Sequence, residues 1–156
     1  MRIEIWSDVV CPWCYIGKRR LESALDQFEH GTSIEVRWRG FELDPSASED
    51  PVPLDQLLAQ KYGMSREDAR KANERVTEPA AAEGLDYHLD RTTSANSFDA
   101  HRLIHLAETK GKQAEMKELL MQAHFVDTLP VGDPETFVQL GKEVRSDETA
   151  SRYCKQ

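Results

Sequence analysis

The first residues alternate. In 2–6, Ile3 and Ile5 fall on one side while Arg2, Glu4 and Trp6 fall on the other, the two-residue period of a strand with one face turned inward. Cys-Pro-Trp-Cys occupies 11–14, and Pro12 suits the first turn of a helix, where its missing N–H would have no partner anyway. Ile16, Leu21, Ala24, Leu25 and Phe28 then recur at helical spacing. This pattern predicts a helix that buries these positions and ends near His30, with Gly31 as a left-handed cap. Ile34, Val36 and Trp38 alternate again and predict a second strand. A strand, a helix and a strand in this order pack as a right-handed parallel unit.

The segment 44–53 is rich in Pro, Ser and acids and reads as a loop. Helical patterning resumes at 54–62 and stops at Gly63; Ser65, with Asp68 three residues on, opens a longer helix that Pro79 should kink or end. Asn96, with Asp99 three residues later, predicts the cap of a helix reaching about Lys110, and two more follow at 113–127 and, behind an Asp133 cap, at 134–144. No strand is predicted after the second. The natural division is a βαβ part over 1–43 and a helical part with its tail over 44–156.

Composition narrows the function classes. Hydrophobic residues make up 39% of the chain and charged ones 31%, enough for one domain with a core. No apolar run reaches about 18 residues, which excludes a membrane-spanning helix. With 28 acidic against 20 basic side chains the net charge is -8, which argues against a nucleic-acid partner, since phosphate binding relies on clustered Lys and Arg. The first ten residues lack the apolar core and cleavage site of a secretory signal, so the expected location is the cytoplasm. In that reducing compartment a close cysteine pair is more often catalytic or metal-binding than a static crosslink.

The chemistry centres on Cys11 and Cys14. Cys11, at a helix N-terminus, meets the positive end of the helix dipole and unpaired N–H groups, both of which favour thiolate. Cys14 lies one turn on, on the same side, placed to attack a mixed disulfide on Cys11 and release the partner. CxxC alone is common in zinc sites, and the preceding strand is what favours redox chemistry. A zinc centre would need two more ligands, for which His101 and His105, at helical spacing, are the candidates. The bland reading puts one of them in the helical core and the other in solvent. His30, His88 and His124 are isolated, and Lys18, Arg19 and Arg20 read as a solvated face or as mild support for the thiolate.

The run SDVVCPWCYIGKRRLE, the FELDP segment at 41–45 and the NSFDAHRLIHLA segment at 96–107 together resemble the DsbA-like thioredoxin-fold oxidoreductases of the FrnE type. The resemblance covers most of the chain and implies an α/β thioredoxin-like fold with an all-helical insertion after its second strand. It implies Cys11 as nucleophile and Cys14 as resolving cysteine, acting on protein or small-molecule disulfides. Pro12 and Trp13 match the dipeptide that tunes the pair, and Asn96, Phe98 and His101 match the start of the helix that faces the redox centre. No bound cofactor is implied, although glutathione is a candidate redox partner. A related branch, kappa-class glutathione transferases and 2-hydroxychromene-2-carboxylate isomerases, carries serine at the first cysteine position, so a glutathione-dependent isomerase is the alternative.

In that family the chain returns from the helices into a strand preceded by a cis-proline, then a hairpin and a last helix, roughly 50 residues more on ordinary element lengths. None of Pro12, Pro45, Pro51, Pro53, Pro79, Pro130 or Pro134 precedes such a strand here. Three readings account for this: a fragment, a naturally shortened or frameshifted product, or a two-stranded sheet completed by a second copy, and association into at least a homodimer is the expectation. Cys154 reads as a bystander thiol.

Overall fold

The computed structural model describes residues 1–145, so Cys154 lies outside the described residues. Strand β1 (Arg2–Ser7) pairs in parallel with β2 (Glu35–Gly40), from Arg2 opposite Glu35 to Ser7 opposite Gly40. The expected alternation is present in β1: Arg2, Glu4 and Trp6 are exposed while Ile3, Ile5 and Ser7 turn inward. Ion pairs Arg2–Glu35 at 3.0 Å and Arg39–Glu4 at 2.5 Å tie the outer face across the strands. Between them runs α1 (Pro12–Gln27), with Cys11 as its cap residue and Pro12 in its first turn.

Helix α1 ends three residues before His30, and Gly31 is not a left-handed cap. It opens a 3₁₀ turn (Gly31–Ser33), and a Cβ there would stand 1.9 Å from the Leu25 carbonyl oxygen. Close approach of the backbone, not a positive φ, requires glycine at this position. The expected buried face of α1 also needs correction. Ala24 and Phe28 are exposed, while Lys18 is only 4% exposed.

Beyond β2 the chain is mainly helical: α2 (Leu54–Tyr62), α3 (Arg66–Ala82), α4 (Phe98–Glu108), α5 (Gln113–Phe125) and α6 (Pro134–Arg145). The start signals are met at α3, where the Ser65 hydroxyl accepts from the Asp68 N–H at 3.0 Å, and at α6, where Asp133 accepts from the Thr136 N–H at 2.8 Å. Pro79 does not end α3, which continues through it to Ala82. The lost hydrogen bond lies in the final turn, and there the wholly buried Ala80 packs against Leu85, Tyr87 and Phe125. Asn96 is not the cap of α4. Ser97 holds that position, and the Asn96 side chain accepts from the Phe98 N–H at 2.8 Å. Two short strands escape the sequence pattern: β3 (Val52–Pro53) pairs antiparallel with β4 (Thr93–Ser94), too few residues to show any alternation.

Helix α5 is the centre of the molecule. Leu119, Leu120 and Ala123 pack with Val9, α4 and α6, while Met121 and Phe125 pack with Tyr15, Ile16, Leu85 and Tyr87. A helix enclosed on all sides should be apolar throughout, yet Lys117, Glu118 and His124 are all buried within α5. Each of these must find a partner inside the protein or stay neutral. At the start of α5 the Gln113 amide bonds both the N–H and the carbonyl of Trp38, at 3.1 and 3.0 Å, occupying part of the outer edge of β2. Among the described residues no strand pairs with the other edge of β1, and no helix is long and apolar enough to cross a membrane.

Candidate active site

The βαβ unit carries the cysteine pair to the end of β1, where the chain turns into α1. Cys11 and Cys14 are both free thiols, half-buried, one turn apart. A hydrogen bond between the two sulfurs dominates their titration: it lowers Cys14 to about 6 and, with burial, raises Cys11 far above the thiol range. Whichever sulfur holds the charge, the remaining S–H stabilises it, so the low value belongs to the pair. The sequence placed the charge on Cys11 alone, but the structure divides the supporting groups. The Trp13 N–H favours a charge on Cys11, while the Asp8 N–H and the charge of Lys117 favour one on Cys14.

The rest of the motif holds this turn in place. The Tyr87 hydroxyl donates to the Pro12 carbonyl at 2.7 Å, and the Tyr87 ring stacks on Phe125 with centroids 4.9 Å apart. Trp13, by contrast, is 55% exposed beside the cysteines. One turn further, Lys18 and Arg19 turn inward rather than to solvent. Both pair with Glu118 of α5, which also accepts the Tyr15 hydroxyl at 2.5 Å. Burial would raise the Glu118 carboxyl, but the two cations outweigh it and hold Glu118 below the usual range. A surface cleft of about 1060 Å³ is lined by Tyr15, Lys18, Arg19, Glu22 and Glu118 among others and includes neither cysteine.

Asp8 is a hub that sequence reasoning did not single out. It is 1% exposed, lies 3.2 Å from His101 Nε2 and accepts the Leu43 N–H at 2.8 Å. Burial raises its carboxyl, yet hydrogen bonds from His101, Leu43 and Ser97 together bring it below the usual value. His101 is thereby brought to the redox centre through Asp8, whose own N–H supports Cys14. Gly40 leaves room for the ring, since a Cβ there would stand 3.3 Å from His101. Phe98 is 54% exposed at the start of α4, and the Asn96 side-chain amide donates to the Pro45 carbonyl at 3.3 Å, bracing the 44–53 loop. His105 points away, 53% exposed and 3.5 Å from Glu108. Cys11, Cys14, His101 and His105 therefore do not converge, and no group of three or more metal-ligating side chains forms among the described residues.

Lys117, also missed, lies 1% exposed with its ammonium 5.1 Å from the centre of the Trp38 ring. A charged residue in a helical stretch normally reads as surface, and the only available signal was the apolar character of its neighbours in α5.

Comparison with known proteins agrees with this geometry. The chain is 28% identical to the uncharacterized protein YwbO of Bacillus subtilis over 148 residues, 94% of this chain and 68% of that protein. A probable DsbA oxidoreductase from Streptomyces coelicolor superposes with a TM-score of 0.88 at 40% identity, covering 99% of this chain and 68% of that one. The cytosolic disulfide reductase DsbM of Pseudomonas aeruginosa shares the fold, with a TM-score of 0.61 at 18% identity over 97% of this chain and 68% of that one. A model of the DSBA-like thioredoxin domain matches residues 2–152, spanning the strand, the CxxC turn and the helices just described. The chain belongs to the DSBA-like thioredoxin domain family, the thiol–disulfide oxidoreductases of DsbA type.

Proposed function

We propose that this chain exchanges disulfides with protein or small-molecule substrates through Cys11 as attacking thiolate and Cys14 as resolving thiol, in the cytoplasm and with glutathione as redox partner. The observation that carries this reading is the pair itself: two free thiols, Cys11 capping α1 and Cys14 in its first turn. The hydrogen bond between the two sulfurs brings the lower value of the pair down to about 6, which favours a thiolate at neutral pH. Cys11 is the cap residue at the positive end of the α1 dipole, which favours its thiolate. It attacks the substrate disulfide, one substrate sulfur leaves as thiolate, and Cys14 then attacks Cys11 to release the other and close the Cys11–Cys14 disulfide. The glutathione assignment draws support from a DsbM structure determined with GSH, which shares this fold at a TM-score of 0.60 and 16% identity over 99% of this chain and 76% of that one.

Equilibration of the purified chain against reduced and oxidised glutathione, followed by alkylation and mass spectrometry, tests the reading. The expected result is reversible loss and return of two alkylatable thiols at Cys11 and Cys14. Cys14→Ser should accumulate a mixed disulfide on Cys11, and Cys11→Ser should abolish exchange. Undiminished exchange in Cys11→Ser would remove the proposal. Specific glutathione binding with both cysteines dispensable would favour the glutathione-dependent isomerase instead.

A further inference from the structure

The helical part of the chain reaches into the cysteine turn through one side chain. Tyr87 lies in the segment between α3 and α4, and its hydroxyl donates to the Pro12 carbonyl, inside the CxxC, at 2.7 Å. Among the described residues it is the one side chain bonded to the backbone between the two cysteines. The phenol is firmly held. Its segment is tied on either side, by the Leu85 N–H to the Ala80 carbonyl at 3.0 Å and by the His88 N–H to the Phe125 carbonyl at 2.8 Å. The ring is 4% exposed and stacks on Phe125 and Tyr15, with centroids 4.9 and 6.2 Å away, in the cluster against which Cys14 also packs. Burial, then the charge of Cys11, keeps the phenol well above its ordinary value against the pull of Arg19, so it remains a donor at neutral pH.

The carbonyl it binds has a particular neighbour. Pro12 has no N–H, and the Cys14 N–H is spent on the Cys11 carbonyl at 3.1 Å. The remaining amide of this turn, the Trp13 N–H, shares one peptide group with the Pro12 carbonyl and favours a charge on Cys11. A hydrogen bond accepted by the oxygen of a peptide group draws electron density from its N–H and makes that N–H a stronger donor.

We propose, building on the dithiol exchange above, that Tyr87 is a positioning residue for the cysteine pair: by holding and polarising the Pro12–Trp13 peptide it stabilises the Cys11 thiolate and so favours the reduced form. Reduction by two glutathione thiols breaks the Cys11–Cys14 bond, forms glutathione disulfide and leaves two electrons and two protons on the pair. The Cys11 thiol then ionises, and the thiolate is the species that the bonded peptide supports. Stabilising it makes the disulfide a stronger oxidant. The helical part thereby acts on the redox pair across 75 residues of sequence.

Tyr87→Phe keeps the ring and its stacking and removes only the hydroxyl. In the Cys14→Ala chain, where Cys11 titrates without its partner, iodoacetamide alkylation of Cys11 is followed across pH by mass spectrometry. Adding Tyr87→Phe should raise the midpoint by about half a pH unit and slow alkylation at neutral pH about threefold. With both cysteines present, Tyr87→Phe should hold about threefold more disulfide relative to dithiol at a fixed ratio of reduced to oxidised glutathione. A ring-fluorinated tyrosine in place of Tyr87 keeps the fold and donates more strongly, so it should move both readouts the other way. A Tyr87 that only supports the fold would lower the unfolding midpoint in Tyr87→Phe and leave both readouts where they were, and that result overturns the proposal. Should Tyr87→Phe fail to fold, the fluorinated chain decides, and an unchanged Cys11 midpoint there overturns it as well. A pair inert to glutathione would sink the exchange reading, while the Cys11 alkylation midpoint would still decide the role of Tyr87.

Discussion

His101 Nε2 lies 3.2 Å from Asp8 Oδ1, joining the loop before the CxxC helix to the fourth helix across 93 residues of sequence, with both side chains almost entirely enclosed. The imidazole packs closely over Gly40, where a Cβ would stand 3.3 Å from the ring. Asp8 also accepts the Leu43 N–H at 2.8 Å, so the pair ties the loop before the CxxC helix to the segment after β2. Removing one partner of such a pair strands the other in a low-dielectric interior.

His101→Ala should therefore destabilise the chain by about 3 kcal/mol, and Gly40→Ala by about 1–3 kcal/mol through displacement of the ring. Denaturant unfolding measures both. The Asp8 carboxyl is held below its ordinary value, so its contribution is present above the unfolded carboxylate value and is lost as pH falls through the folded one. Asp8→Asn should flatten that acid limb.

Alkylation of the unaltered chain should show a thiol midpoint near pH 6, well below an ordinary cysteine. The hydrogen bond from the second thiol is the largest cause, so replacing Cys11 should raise the Cys14 midpoint. Cys11→Ala should raise it more than Cys11→Ser, because the serine hydroxyl can still donate. Equal midpoints in the two variants would show that the sulfur–sulfur hydrogen bond is not what lowers the pair.

Glu118 binds Lys18, Arg19 and the Tyr15 hydroxyl at once, joining α1 to α5. Glu118→Ala leaves the Lys18 ammonium without its buried partner and should cost about 3–5 kcal/mol in thermal or denaturant unfolding. Lys18→Met combined with Glu118→Leu should recover most of that loss, since apolar groups of similar size need no counter-charge. A double variant as unstable as Glu118→Ala would contradict this account.

His124 is 0% exposed, and neither ring nitrogen has a hydrogen-bond partner. Burial lowers its value to about 4, against an ordinary 6.5. As pH falls through this window the unfolded chain takes up a proton that the folded chain refuses, so stability is complete above about 6.5 and declines toward 4. His124→Leu should remove this decline and be more stable than the unaltered chain near pH 5, by about 1–3 kcal/mol. Unfolding midpoints compared near pH 7 and pH 5 give the answer, and parallel curves for the two proteins would exclude the mechanism.

The sequence by itself determined the strand, the CxxC turn, the helix and the parallel strand that follow from Arg2 to Gly40, and the main helices with several of their start and stop signals. These depend on short-range physics: a two-residue or 3.6-residue period, a proline in a first turn, a side chain capping an N–H three residues on. The resemblance in the CPWC, FELDP and NSFDAHRLIHLA segments carried the family. Only the tertiary structure decided which polar residues went inside. Lys18 stands on a helix face that reads as solvated, and Lys117 and Glu118 sit among residues whose burial depends on three other helices. His101 needs Asp8, 93 positions away, to accept its ring nitrogen. Pro79 remains within a helix because packing of Ala80 outweighs the lost hydrogen bond, and β3 and β4 are two residues each, shorter than any period. A buried charge carries no periodic mark in the chain; its place is set by the partner that folding brings to it.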